Sequence, residues 1–410
     1  MLQVVLKWFR VTYKNVITSI AFLPAVIAIL FLLLSFVMIA FDFSETGKSI
    51  KANLNWLSLK DASTARSICS AIAGGIISLA VFSFSMVMIL LNQAASQMSN
   101  RILGKLIGNR FQQFVLGFYI GTIVYALYLL STIRDINSGI HVPAISTYLL
   151  IALTITDIFL FIYFLHYITD SVKFETIIHR IYDDTKEEMT KKCVLKENDA
   201  YTPEGNVTKE MAAYKSGLYQ GFDKKGLMSL CRKENATVTF LQPVGTYLIK
   251  GTPILTGFCK HNLPDDFEEK LQVLVNIHRG QQIDTSYFYG FSQLMEIAIK
   301  ALSPGINDPG TAVISLNALG DMLAFRQSNY PEIFMRDEEG NVRIIIKEKS
   351  FEEMFTETIL PIWDYGKDDR VIQNAMFNIL TQLRTKSPNT LIEKHLQSVK
   401  AAMEKKKFDY

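Results

Sequence analysis

The residues of this chain that could do chemistry fall in a few places. Asp157 is the one acid deep within a long apolar run, in Thr154-Ile155-Thr156-Asp157-Ile158-Phe159. A carboxylate in such a setting is costly to bury, so it either finds a hydrogen-bond partner or marks an ion path. Two readings stand side by side. In one, Asp157 is protonated and bonded to Thr154, Ser85 or a backbone carbonyl; in the other, Asp157 and Ser85 line the route of a small ion. His166 lies half a turn away from Asp157 in azimuth on an ideal helix, so no direct relay between them is expected. A third group, Gln93, Gln97 and Arg101, sits where the second apolar run continues as Asn92-Gln93-Ala94-Ala95-Ser96-Gln97 without Pro or Gly, which predicts a helix emerging from a membrane.

The other concentration of polar groups is Leu302 to Ala312, Leu-Ser-Pro-Gly-Ile-Asn-Asp-Pro-Gly-Thr-Ala. Ser303-Pro304-Gly305 predicts a helix stop, because proline disfavours helical geometry in its predecessor and glycine permits positive φ. Asp308 is placed to cap a new helix with Pro309 at its first position. The stretch is therefore a joint between two helices. It is also a candidate polar site, in which Ser303, Asn307, Asp308, Thr311 and the free N–H groups of the second helix gather.

Several chemistries are not indicated. No Ser-His-Asp, HExxH, P-loop or GxGxxG pattern supports an enzyme, no cofactor is called for, and the four cysteines, Cys69, Cys193, Cys231 and Cys259, lack the spacing of a metal site or disulfide framework. With 42 basic and 39 acidic residues the net charge is too small to argue for nucleic acid.

The composition of the chain changes near Thr169. Before it lie four apolar runs, at about residues 16–41, 68–91, 111–133 and 145–168, each close to the roughly 20 residues a spanning helix needs. The first is too long for a signal peptide and no Ala-x-Ala site closes it, so it reads as a retained span. Lys7, Arg10 and Lys14 precede span one, and Arg101, Lys105 and Arg110 separate spans two and three. That bias assigns both termini to the cytoplasm. Small residues at Gly74, Ser78, Ser85, Gly117 and Gly121 predict close helix packing, within the chain or between subunits.

After the spans, residues 169–210 read as an amphipathic helical stalk, with Ile177, Ile178 and Ile181 on one side, followed by a charged mobile linker. Residues 211–262 carry short β-rich runs, Tyr214 to Phe222, Thr237 to Leu241, Tyr247 to Ile249 and Ile254 to Phe258, punctuated by glycines, with Asp223 placed to cap a helix through Cys231. They predict a small β-sandwich or half-barrel. Residues 263–410 read as mainly helical, with a helix from Pro264 to Val275, a cap at Asp284, a strand at Val342 to Lys347 and helices near Phe351 to Trp363, Asp368 to Arg384 and Pro388 to Lys407, the last begun at Ser387. The fold class is α+β: a four-helix transmembrane bundle followed by a cytoplasmic domain with a small β module and a helical C-terminal part.

The chain resembles a bacterial family catalogued as a predicted membrane protein, domain of unknown function 2254. The resemblance rests on Phe82-Ser83-Phe84-Ser85 through Arg101, Ser216-Gly217-Leu218-Tyr219-Gln220, Gly245 to Leu255, and above all Ile297 to Ala312. It implies a multi-pass protein of the bacterial inner membrane with a cytoplasmic domain, and no biochemical function. The residues themselves point to a homo-oligomeric ion channel or transport-related protein, assembled or gated by its cytoplasmic domain, whose partners are the bilayer and a small ion. The alternative is a membrane-anchored sensor or scaffold that binds a small-molecule ligand or partner through that domain.

Overall fold

The computed structural model describes residues 19, 21–53, 61–97, 110–133, 142–196, 206–259, 264, 266–278 and 286–407. Two compact units meet in sequence between Lys173 and Phe174. The first contains α1 (Phe22–Phe43), α2 (Glu45–Asn53), α3 (Ala62–Gln97), α4 (Arg110–Thr132) and α5 (Ala144–Ser171). All but α2 are long and apolar enough to cross a membrane. In hydrocarbon an apolar run must satisfy its own backbone, and the helix is the way a single segment does so. Side chains such as Leu33 and Phe36 of α1, Val81 and Ile89 of α3, and Phe159 and Ile162 of α5 point outward and are exposed, the surface that lipid would cover.

Helix α4 is the centre of this unit and packs against α1, α3 and α5. Its closest approach is to α1, and glycine makes it. A Cβ on Gly117 would lie 2.7 Å from Ile27 Cδ1, and one on Gly121 would lie 2.7 Å from the Phe31 ring. The small-residue pair of the third span thus serves packing within the chain, where α1 and α4 backbones come together.

The start of α5 has no capping side chain of its own, since Pro143 occupies that position. Asp42, at the end of α1, supplies the missing acceptor. Its carboxylate accepts from Ser146 N (2.7 Å), Ser146 Oγ (2.6 Å) and Ile145 N (3.3 Å). Lys51 Nζ lies 3.1 Å from Asp42 Oδ1 and donates to the Asp42 carbonyl at 2.7 Å. In the sequence Asp42 is one charge in a polar segment; in the structure it is fully buried and ties three elements together.

The second unit begins with α6 (Phe174–Lys192) and continues β1 (Asn206–Ala212), β2 (Gly217–Phe222), α7 (Lys224–Lys233), β3 (Thr237–Phe240), β4 (Tyr247–Leu248), β5 (Pro253–Cys259), α8 (Phe267–Leu274), β6 (Val275–His278), α9 (Phe288–Ala301), α10 (Pro309–Arg326), β7 (Phe334–Arg336), β8 (Val342–Ile345), α11 (Phe351–Gly366), α12 (Arg370–Lys386) and α13 (Thr390–Lys407). The strands form a five-stranded sheet, β1-β5-β3-β8-β7, and a three-stranded sheet, β4-β2-β6. Both sheets feed one core, in which Phe240 of β3 stacks on Tyr219 and Phe222 of β2. Asp223 caps α7 by accepting from Gly226 N, as the sequence predicts.

Several sequence expectations change. The helix of the stalk is interrupted: α5 ends at Ser171 and α6 starts at Phe174, with Lys173 N donating to the Asp170 carbonyl in the turn between. The break involves no proline or glycine and so leaves no sequence mark. Nor is α6 a free stalk, because Ile177, Ile178, Ile181, Thr185 and Met189 are buried and it packs on α9 and α10. Of the charged linker expected after the stalk, the described part holds the end of α6, a bridge from Leu195 to Tyr330 and the start of β1, while residues 197–205 lie outside the described residues. Val275 belongs to strand β6, whose buried and exposed residues alternate, rather than to the preceding helix. Finally, no border falls near residue 262: β6 pairs with β2, and β8 runs parallel to β3. Asp284, expected as a helix cap, lies outside the described residues.

Candidate functional site

Asp157 sits at the middle of α5, about 20 Å from either end at 1.5 Å per residue. It is fully buried, and neither carboxylate oxygen has a hydrogen-bond partner. Three other buried oxygens share this condition: Thr122 Oγ1 and Tyr119 OH on α4, and Ser83 Oγ on α3. Thr122 faces Asp157, Ser83 faces Tyr119, and Asp157 is near enough to Tyr119 to act on it electrostatically, yet none of these pairs meets hydrogen-bond geometry. Most buried polar groups are bonded, and each exception calls for a reason. Four together on three helices define a polar layer, here the candidate site.

The surroundings of the layer differ on its two sides. Leu150, Asp157 and Phe164 follow one another at heptad spacing on α5; Leu150 belongs to an apolar cluster with Cys69, Ala73, Tyr125 and Leu129, and Phe164 to a second cluster with Ile76, Val115 and Ile168. Along the second cluster runs a cavity of about 120 Å³ between α3 and α4, lined by Ser83, Gln112, Gln113, Tyr119 and Phe164 among others. It reaches from the first turn of α4 to the Ser83–Tyr119 edge of the polar layer. On the other side, Tyr125, Leu129 and Leu150 close the bundle, and beyond them lies the Asp42–Lys51–Ser146 tie.

Of the residues singled out in the sequence, Asp157 stands in this layer and Ser85 does not. Ser85 is on the exposed side of α3, and the serine turned inward is Ser83, two positions away and hence about 200° round the helix. Thr154 is occupied with its own helix, donating to the Leu150 carbonyl at 2.8 Å, and His166 is exposed. Gln93 and Gln97 lie on the last turns of α3, which continues to Gln97 as predicted, while Arg101 lies outside the described residues. Sequence reasoning missed Ser83, Thr122 and Tyr119. The signal available for Ser83 was its heptad offset from Ile76 on a face that also carries Ala65, Cys69 and Ala73.

The joint at Leu302 to Ala312 gathers its polar groups for capping. Asp308 accepts from Thr311 N (3.1 Å) and Thr311 Oγ1 (2.6 Å), Ser303 Oγ donates to the Lys300 carbonyl (2.7 Å), and Asp308 N reaches the Ala301 carbonyl (2.8 Å). The left-handed residue is Asn307, at φ +49°, and not Gly305. Asn307 is exposed. The same revision applies to the last helix: Asn389, not Ser387, accepts from Leu391 N and Ile392 N at its start, and Ser387 ends α12.

A second buried polar cluster lies in the C-terminal unit. Tyr287 OH donates to Glu348 Oε2 at 3.4 Å, and Arg326 donates through Nη1 to the Asn329 carbonyl and through Nη2 to the Lys349 carbonyl, both at 3.2 Å. Burial pushes the Glu348 carboxyl above the usual range, against the pull of Lys192 and Arg326. These bonds fasten the segment before α11 to the ends of α9 and α10. Among the described residues no cluster of His, Cys, Asp and Glu could hold a metal ion.

Four apolar spans with a buried polar layer, followed by a separate α+β unit, define a multi-span membrane protein. The chain belongs to the family described as Predicted membrane protein (DUF2254), whose sequence model matches residues 17–382. Among its curated relatives are Uncharacterized protein Mb1321c of Mycobacterium bovis and Uncharacterized protein Rv1290c of Mycobacterium tuberculosis, each 25% identical over 332 residues, covering 77% of this chain. The match spans 63% of the length of those relatives. No solved structure matches the chain.

Proposed function

We propose that this is a protein of the bacterial inner membrane that moves a small ion, with Asp157 as the ion site inside each bundle. The observation that carries the reading is the unpartnered carboxylate at mid-bundle, buried beside three unpartnered hydroxyls, of which Ser83 and Tyr119 belong to residues that line a cavity. Acids within membrane spans that face the bundle interior are characteristic of ion and proton pathways. The cavity is the access route from the α4 end carrying Arg110, and the apolar cluster around Tyr125, Leu129 and Leu150 is the barrier that must open on the other side. An even number of spans and the basic residues flanking spans one and three support cytoplasmic termini and a cytoplasmic C-terminal unit.

Assembly as a homo-oligomer is part of the same reading. Its support is the face of α3 that carries Gly74, Gly75, Ser78 and Ser85, all exposed, with open space around both glycines. Small residues of this kind let helices of neighbouring copies approach closely. Reconstitution into vesicles with ion-sensitive dyes tests the function, and a Ser83→Cys variant tests the route. The cysteine is expected to react with a small membrane-impermeant thiol reagent added on the side of the α4 N-terminus, while native Cys69, within the apolar cluster, stays unlabelled. Vesicles without flux of any small ion under voltage, tension or a pH gradient contradict the reading.

A further inference from the structure

We infer that the polar layer around Asp157 is a binding site for one dehydrated monovalent alkali cation, with sodium as its probe. The inference rests on the proposed ion-moving function for its biological meaning, while the site itself stands on the structure. Its donor atoms are five oxygens: two from the Asp157 carboxylate and one each from Thr122, Tyr119 and Ser83.

The chemistry of this set narrows the ligand. Oxygen-only donors suit hard cations, and the absence of any imidazole or thiolate among them argues against zinc, copper or iron. One carboxylate neutralises one charge. Calcium sites draw on several acidic oxygens, and magnesium is held through carboxylates with much of its water retained, so a divalent ion would leave uncompensated charge at the centre of the bundle. An anion would meet a carboxylate with no basic side chain in the layer to offset it.

The geometry adds a second argument. Thr122, Tyr119 and Ser83 each carry a hydroxyl that can donate, and Thr122 stands beside a carboxylate that can only accept when ionised. Nothing in the chemistry prevents a hydrogen bond between them, yet the two stand close without reaching hydrogen-bond geometry. Hydroxyls held near a carboxylate without bonding to it keep their lone pairs available to a cation placed among them. A cation fits that role: it takes lone pairs from every oxygen at once, and it turns a costly set of unsatisfied buried groups into a satisfied one. The adjoining cavity is largely apolar, with Gln112 and Gln113 at one end and Ser83 and Tyr119 along it, and gives an approach to this edge of the layer.

The test is equilibrium binding of radioactive sodium to the full chain purified in detergent, at pH 8 and in choline chloride. One saturable sodium per chain is expected, displaced by lithium or potassium and not by choline or chloride. Thr122→Val and Tyr119→Phe preserve size and are expected to weaken sodium binding at least tenfold each, and Asp157→Asn to abolish it. Ser85→Ala, on the exposed face of α3, is expected to bind as the wild type does. Size-exclusion profiles of the variants exclude misfolding, and Thr122→Val and Tyr119→Phe keep the test decisive if Asp157→Asn fails to fold. No saturable alkali-cation binding, binding of calcium in its place, or binding indifferent to Thr122→Val and Tyr119→Phe overturns the inference. Vesicles that move protons while the protein binds no alkali cation sink this site and leave the ion-moving function standing. Vesicles without flux around a protein that binds sodium do the reverse.

Discussion

Replacing Asp42 by alanine should destabilise the membrane bundle more than any other single change in its polar tie. The carboxylate accepts three bonds at the start of α5, two of them short, and stands 3.1 Å from the Lys51 ammonium, whose side chain is only 14% exposed. Removing one partner of a buried ion pair costs about 3–5 kcal/mol, because the other charge is left uncompensated. Lys51 keeps its bond to the Asp42 main-chain carbonyl, which any side chain preserves. The expected cost is therefore near the lower end, about 3 kcal/mol. Asp42→Asn retains one carbonyl oxygen for Ser146 N and loses the charge, so about 1.5–3 kcal/mol is expected. Unfolding in mixed micelles, followed by circular dichroism across a denaturant series, reads these differences. The discriminating variant is Asp42→Ala with Lys51→Met, in which the stranded cation is gone. It should be less destabilised than the sum of the single variants by about 1–3 kcal/mol. Strict additivity, or an Asp42→Ala protein that unfolds with the wild type, would refute the assignment of Asp42 as a cap held by Lys51.

Three further outcomes can be checked on the same preparation. Gly121→Ala places a methyl against the Phe31 ring and should cost about 1–3 kcal/mol by overpacking, whereas Gly74→Ala meets open space within its own chain and should carry no overpacking cost inside the bundle. At the joint, Asp308→Ala should lower stability by about 1 kcal/mol through the lost cap, and Asn307→Gly should be neutral or stabilising where Asn307→Val is destabilising, since φ is +49° there. For Glu348, burial raises the carboxyl in the folded state, so that state holds its proton more tightly than the unfolded chain. Its contribution to stability is then largest below the ordinary carboxylate range and falls as pH rises through the raised folded value. Glu348→Gln should flatten that fall in thermal melts recorded from acid to neutral pH; a variant whose pH profile overlays the wild type shows that Glu348 does not titrate differently on folding.

What could be read from the amino acids followed how local the physics was. The four spans were legible because a run of apolar residues long enough for hydrocarbon has one stable solution, and Asp157 because a lone acid in such a run stands out. The caps at Asp223 and Asp308 were legible because a cap needs only its own next turn. The partners of Asp157 were not, because which serine of α3 turns inward depends on how that helix is rotated against α4 and α5. Small residues drew attention to Ser85, and they mark the face of α3 that its own bundle leaves exposed. Tyr119 and Thr122 passed unnoticed within an apolar run. In the second unit the parallel pairing of β8 with β3 joins residues more than a hundred positions apart, and no local pattern announces it. The short strand β6 did carry its alternation, Val275 and Ile277 inward, and was masked by the helical run before it.

The account rests on Asp157 as the group an ion meets inside the bundle. The direct measurement is ion flux into vesicles of the wild-type protein and of Asp157→Asn, with Ser85→Ala as the control on the exposed face of the same bundle, at matched protein content and with folding verified in each. The account predicts flux in the wild type and in Ser85→Ala, and a loss of at least tenfold in Asp157→Asn. Equal flux through wild type and a folded Asp157→Asn contradicts it.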